Sequence, residues 1–459
     1  MEDLVEKLMK SSLRKKPDQF EAYASQNSVV TVRIAMNEVV EAKQLISDGC
    51  SVRFIKNKSV GFAATNDLSK TDMLIDEANR HALSKDADPF FKKLPDPEKI
   101  KPVRDLYDKK FFDLEMTKVV DWGKEIIDIG LGLDPKLDIS GSINIVTEKA
   151  WIRNSNDVDI SDINTFIMHS LTVEKGEENS SLGEFGGRKL SEFKSEAVVT
   201  KAIEDLKVSN PRKVSPGKFR VVFGTHAMAN LLEHIISYAV LLPSVDSGFS
   251  YIGDKMNEKI ADERVTVYDD GRHPTGIGTK AVDDEGVPTN TVKLISKGVL
   301  KSFIGDSYFV YKMMDSMKGV KLTGNGFRFG AVPGRDYGML PSASPTNLVV
   351  DKGDFSDDEL IKEIKQGIYV GRIWYTYPIN PTVGEFSCTN RSNTFWVENG
   401  EIKQAVLPNS FRINDNILNL LNNVIGIGKT QNQSILWGGA AGCISPNVAF
   451  KDVNISYSK

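Results

Sequence analysis

Thr225-His226-Ala227-Met228-Ala229-Asn230-Leu231-Leu232-Glu233-His234-Ile235-Ile236-Ser237-Tyr238-Ala239-Val240-Leu241-Leu242 reads as one long helix. Leu231, Leu232, Ile235, Ile236 and Ala239 share its apolar side, and His226, Glu233 and His234 share the opposite, polar side. Its surroundings decide the fold class. Downstream lie short apolar runs separated by Gly, Pro and Asp, among them Val265-Thr266-Val267-Tyr268, Val292-Lys293-Leu294-Ile295, Asn347-Leu348-Val349-Val350 and Thr394-Phe395-Trp396-Val397. Such runs read as strands. One helix among many short strands predicts an α+β chain whose large C-terminal part is rich in antiparallel sheet.

Upstream, the pattern is mixed α/β. Leu4, Val5, Leu8, Met9 and Leu13 have helical spacing, and Val30, Val32 and Ile34 alternate as in a strand. Val52 and Phe54, then Gly61-Phe62-Ala63-Ala64-Thr65-Asn66, predict further strands, with a helix from about residue 69. The second segment predicts a helix over 114–129, strands at 143–146 and 166–173, and a helix carrying Val198, Ala202 and Leu206. Residues 174–187 are polar and glycine-rich and are expected to form a mobile loop. Proline and charge between residues 89 and 102, and Asn210-Pro211 with Ser215-Pro216-Gly217, suggest linkers. The expected domains are therefore 1–100, 101–215 and 216–459.

With 459 residues, the chain exceeds what one ordinary core supports. Its 40% hydrophobic and 26% charged residues are an ordinary globular balance. No apolar run reaches the roughly 18 residues that span a bilayer. Met1-Glu2-Asp3 opens acidic, so no secretory leader is expected. Cys50, Cys388 and Cys443 are too scattered for a disulfide framework, which fits a reducing, cytoplasmic compartment. The net charge is −4, and the basic clusters Arg14-Lys15-Lys16 and Lys109-Lys110 are short, so neither a nucleic-acid nor a membrane partner is expected.

Several active-site patterns are excluded. Gly428-Lys429-Thr430 lacks the upstream glycine of a phosphate loop, because position 423 is Asn. There is no G-x-S-x-G elbow and no C-x-x-C pair. His226 and His234 lie eight residues apart, a rise of about 12 Å, too far to bind one ion directly. This helix alone builds no metal site, and its polar side reads as lining a cleft or interface. Trp374-Tyr375-Thr376-Tyr377-Pro378 is an aromatic run that ordinary sheet packing would explain, and Trp374, Tyr375 and Tyr377 could also contact a peptide.

Asp48-Gly49-Cys50-Ser51-Val52-Arg53, Gly61-Phe62-Ala63-Ala64-Thr65-Asn66-Asp67-Leu68, Ala281-Val282-Asp283-Asp284-Glu285-Gly286-Val287-Pro288-Thr289, the Lys297–Lys301 hairpin, Thr323-Gly324-Asn325-Gly326, Gly367-Ile368-Tyr369-Val370, Gly384-Glu385-Phe386-Ser387 and Val397-Glu398-Asn399-Gly400-Glu401-Ile402 follow one another along nearly the whole chain. In this order the set resembles the TldD/PmbA family. The resemblance implies a two-subunit zinc peptidase acting on unfolded or modified peptides. One subunit type carries H-E-x-x-x-H at the position of the 225–242 helix, together with a C-terminal cysteine.

At that position this chain reads Glu233-His234, with Tyr238 last and Cys443 as the matching cysteine. A tyrosine hydroxyl, with pKa about 10, is a poor zinc ligand at neutral pH. The resemblance therefore implies the TldE/PmbA-type subunit: no metal on this chain, zinc in a TldD-type partner, and a homodimer when alone. Two alternatives stand beside it. One is a stand-alone peptide-binding scaffold. The other is a metalloenzyme using His226, His273 and Cys443.

Overall fold

The computed structural model describes all residues except 177, 178, 207, 209, 437–441 and 459. It is an α+β structure. Six antiparallel strands form the N-terminal sheet: β1 (Gln19–Ala35), β2 (Glu38–Lys56), β3 (Ser59–Thr65), β4 (Asp138–Asn154), β5 (Asp159–Lys175) and β6 (Asn179–Gly187). Their order is β3-β2-β1-β4-β5-β6. β1 pairs with β4 from Glu21↔Asn154 to Ile34↔Gly141. One sheet thus joins strands from both sides of residue 100.

Period-two alternation divides the faces of this sheet. Phe20, Ala22, Ala24, Val32 and Ile34 of β1 lie under helices α1 (Glu2–Ser12), α2 (Thr71–Leu83), α3 (Met116–Leu133) and α4 (Ser195–Asp205). A Cβ on Gly61 would stand 1.9 Å from the Ala78 carbonyl oxygen, so only glycine lets α2 lie this close to β3. The odd-numbered residues Glu21, Tyr23 and Asn27 face the C-terminal half.

Apart from residues 177 and 178, which lie outside the described residues, the stretch 174–187 is not a loop. It forms the β5–β6 hairpin, paired from Lys175↔Asn179 to Ile167↔Gly187. Gly183 marks close packing: a Cβ there would stand 2.6 Å from the Val198 carbonyl oxygen of α4.

The C-terminal half begins with β7 (Gly217–Phe223), α5 (Thr225–Leu231) and α6 (Leu242–Asp246). β8 (Val267–Asp270), β9 (Thr291–Ser296) and β10 (Val299–Leu300) precede α7 (Ser307–Met313) and a ribbon of β11 (Gly326–Phe327) and β12 (Ser342–Ala343). β13 (Asn347–Val350), α8 (Asp357–Ile364), β14 (Gly367–Val370), β15 (Ile373–Asn380), β16 (Glu385–Asn390), β17 (Thr394–Glu398), β18 (Glu401–Ala405) and β19 (Phe411–Asn416) follow. α9 (Ile417–Asn422), β20 (Val424–Ile427), β21 (Asn432–Ser434), β22 (Gly442–Ser445) and β23 (Val448–Tyr457) complete the chain. The larger sheet runs β15-β16-β19-β23-β7-β14-β17-β18, and a second runs β10-β9-β8-β13-β22-β21. Their inner faces enclose one core with the apolar side of α5. No helix among the described residues is long and apolar enough to cross a membrane.

The single helix expected over 225–242 is broken. After α5 the path widens into a π turn at Leu232–Ile236, where Ser237 N donates to Leu232 O at 2.7 Å, and then tightens into a 3₁₀ turn at Tyr238–Val240. Leu241 is extended because its neighbours pair with another segment: Ile304 N donates to Val240 O and Leu242 N to Ile304 O, both at 2.9 Å.

The two halves meet across a buried ionic network. Arg53 Nε bonds Glu21 at 2.8 Å and Arg53 Nη1 reaches Glu285 at 2.9 Å. Arg328 pairs with Glu21, and Lys280 with Glu148. Arg335 reaches Asp284 at 2.6 Å and Asp162 at 2.7 Å. The Asp283-Asp284-Glu285 motif therefore serves this junction. Asp283 braces its own turn by accepting from Glu285 N, Val287 N and Gly326 N, each at 2.9 Å.

Candidate functional site

The π turn carries Glu233 and His234, and β22 carries Cys443 past it. Cys443 Sγ donates to Glu233 Oε2 at 3.8 Å, so two positions 210 residues apart meet. Burial, then the Glu233 charge, pushes the Cys443 thiol well above its usual range, so it stays protonated at neutral pH. Burial also lowers the half-buried His234, favouring its neutral form. Tyr238 Oη donates to Pro381 O at 3.3 Å, and the ring meets Tyr251 edge-on at 5.9 Å. Burial pushes its hydroxyl up to about 12. The turn and β22 thus bring together one carboxylate, a neutral imidazole, a protonated phenol and a protonated thiol. Among the described residues no group of three or more His, Cys, Asp and Glu side chains could hold an ion, the combination of His226, His273 and Cys443 included.

Glu184, which carried no signal in the sequence, lies at the foot of the same helix. It arrives on β6, and its Oε2 stands 3.1 Å from His226 Nδ1. Ser434 Oγ and Ile435 N also donate to it, at 2.8 and 2.9 Å. Burial pushes the carboxyl up, but the charge and hydrogen bond of His226 outweigh that and hold it below the usual carboxylate range. The pair fastens the N-terminal hairpin to the helix that carries Glu233.

Trp374, Tyr375 and Tyr377 lie on β15, an edge strand that among the described residues pairs only with β16 and that packs against α5 and the π turn. The ladder shifts between Trp374 and Tyr377, and Tyr375 adopts φ +46°, outside the usual range of a bulky residue. The bulge turns Tyr375 outward, leaving it 66% exposed. Trp374 lies under the Arg391 guanidinium at 4.6 Å, and Tyr377 Oη accepts from Arg412 at 2.8 Å. Among the described residues the outer side of this edge has no strand partner, and it presents apolar rings beside the helix.

Comparison with known proteins places these features in a family. The model of the PmbA/TldA metallopeptidase C-terminal domain matches residues 216–457, more than half of the chain, and that of domain 1 matches residues 20–82. An uncharacterized protein of Methanocaldococcus jannaschii is 25% identical over 88% of this chain and 89% of its own length. A metalloprotease of the same organism is 25% identical over 90% and 92%. The crystal structure of TldE from Thermococcus kodakarensis superposes with a TM-score of 0.87 at 23% identity, covering 99% of both chains, and so shares the fold. With both family domains matched in order, the chain belongs to the PmbA/TldD metallopeptidase family.

Proposed function

We propose that this chain is the non-metal subunit of a cytoplasmic two-subunit peptidase, pairing with a TldD-type subunit that supplies the zinc. The observation that carries this reading is the donor set after α5: Glu233 and His234 on the π turn and Tyr238 on the 3₁₀ turn stand where the resemblance implies H-E-x-x-x-H, and Glu233 meets a protonated Cys443. Zinc peptidases need a Lewis acid, an activated water and a base held together. This helix offers none of the three as a set.

The chain's own contribution is a surface for substrate. An unfolded or modified peptide would add as a strand along β15, where main-chain hydrogen bonds give affinity without demanding a sequence, and Trp374, Tyr375 and Tyr377 would cover its apolar side chains. Alone, the chain forms a homodimer.

The experiment assays an unstructured peptide with this chain, with a TldD-type partner and with both. Cleavage only by the mixture, together with co-elution of the two chains, is the expected outcome. Chelator-sensitive cleavage by this chain alone would overturn the reading. Equal cleavage by the partner with and without it would favour a stand-alone peptide-binding scaffold.

A further inference from the structure

Among the described residues Arg372, at the start of the aromatic edge, forms no ion pair. It directly precedes β15, and the carbonyl of Gly371 before it accepts from Ala227 N of α5 at 3.1 Å. Among the described residues its one hydrogen bond runs from Nη1 to Thr172 Oγ1 at 3.2 Å. The buried Arg53, Arg328 and Arg335 each pair directly with a carboxylate, and Arg372 does not. Among the described residues its Nε and Nη2 have no hydrogen-bond partner.

The neighbouring acids are already engaged. Glu184 is within electrostatic reach, but His226, Ser434 and Ile435 occupy both its oxygens. Glu174 pairs with Arg391 at 3.3 Å. Burial, then the Arg391 charge, disfavours the Arg372 cation and lowers its pKa. Two guanidiniums therefore share one available carboxylate beside Trp374. If Arg372 served only to pin β5 through Thr172, one neutral donor would suffice. A cation with free, forked donors matches a carboxylate better than any neutral group.

We propose that Arg372 is a specificity-determining residue that grips a carboxylate of the peptide bound along β15, either its free C-terminus or an acidic side chain. This rests on the peptide-channel reading above. An incoming carboxylate would supply the missing counter-charge at a site already partly removed from water.

The test uses the full chain and three N-terminally labelled, otherwise identical apolar peptides: a free acid, a C-terminal amide, and an amide with one internal Glu. Affinity is read by fluorescence anisotropy. Charge-assisted pairing predicts about tenfold tighter binding of at least one carboxylate peptide over the plain amide. Arg372→Gln should erase that ratio and Arg372→Lys should keep part of it, with the affinity of the plain amide unchanged in both. A preference for the free acid assigns the C-terminus, and one for the Glu peptide assigns the side chain. Equal affinities for all three in the wild-type chain, or a ratio that survives Arg372→Gln, would overturn the clamp while leaving the channel reading intact. No binding of any peptide would overturn both.

Discussion

Replacing Arg335 with Met tests what holds the two halves together. The guanidinium is fully buried and reaches Asp284 at 2.6 Å, Asp162 at 2.7 Å and the Val282 carbonyl at 3.2 Å. Met fills much the same volume, so the loss is mainly ionic. Glu148 keeps Lys280, but Asp284 and Asp162 lose their cation. Removing one partner of a buried ion pair costs about 3–5 kcal/mol, because the remaining charge stays desolvated. A chain of this length has an unfolding entropy of about 1 kcal/mol/K, so the melting temperature should fall by roughly 3–5 °C in calorimetry. Lys10→Met, which breaks the exposed pair with Glu6, is the control and should leave the melting temperature close to that of the wild-type chain. If Arg335→Met melts within 1 °C of the wild-type chain, as a flag of about 1 kcal/mol or less, the network does not fasten the sheet to the C-terminal half.

Three further outcomes follow from the buried groups. Burial, then the Glu285 charge, raises Asp306 to about 7. The folded chain therefore keeps a proton that the unfolded chain releases, and stability should fall as pH rises from about 4 to about 7, on the order of 1 kcal/mol per unit. Asp306→Asn keeps the acceptor for Phe309 N and should flatten that slope, and an unchanged slope would refute the assignment. Burial pushes Cys50 up to about 11, Cys388 up to about 12 and Cys443 well above its usual range, so a thiol reagent at neutral pH should label the chain only once it unfolds. Elemental analysis of the purified chain should find no stoichiometric zinc, and about one tightly bound ion per chain, lost in Glu233→Ala, would overturn the proposed division of labour.

Local patterns in the sequence carried the elements far and their partners hardly at all. Alternation at Val30, Val32 and Ile34 identified a strand and its buried face, because period two is a property of the strand itself. The apolar stripe of Leu231, Leu232, Ile235 and Ile236 identified a helix lying on a core. Glu233, His234 and Tyr238 were legible as a departure from H-E-x-x-x-H because such a motif lies within about a turn and a half of helix. Periodicity assigns a face without naming what covers it. The pairing of β1 with β4, the exit of the helix at Leu241 onto Ile304, and the hairpin within 174–187 all depend on hydrogen bonds to distant segments. Gly183, one of the glycines that suggested a loop there, is small because α4 lies against it. The same limit applies to the site. Glu184 reaches His226 across 42 residues and Cys443 reaches Glu233 across 210, and Arg372 stands out only when every nearby carboxylate is seen to be engaged elsewhere. Charges so far apart in the chain are brought together, or left unpaired, only when the sheets close around the core.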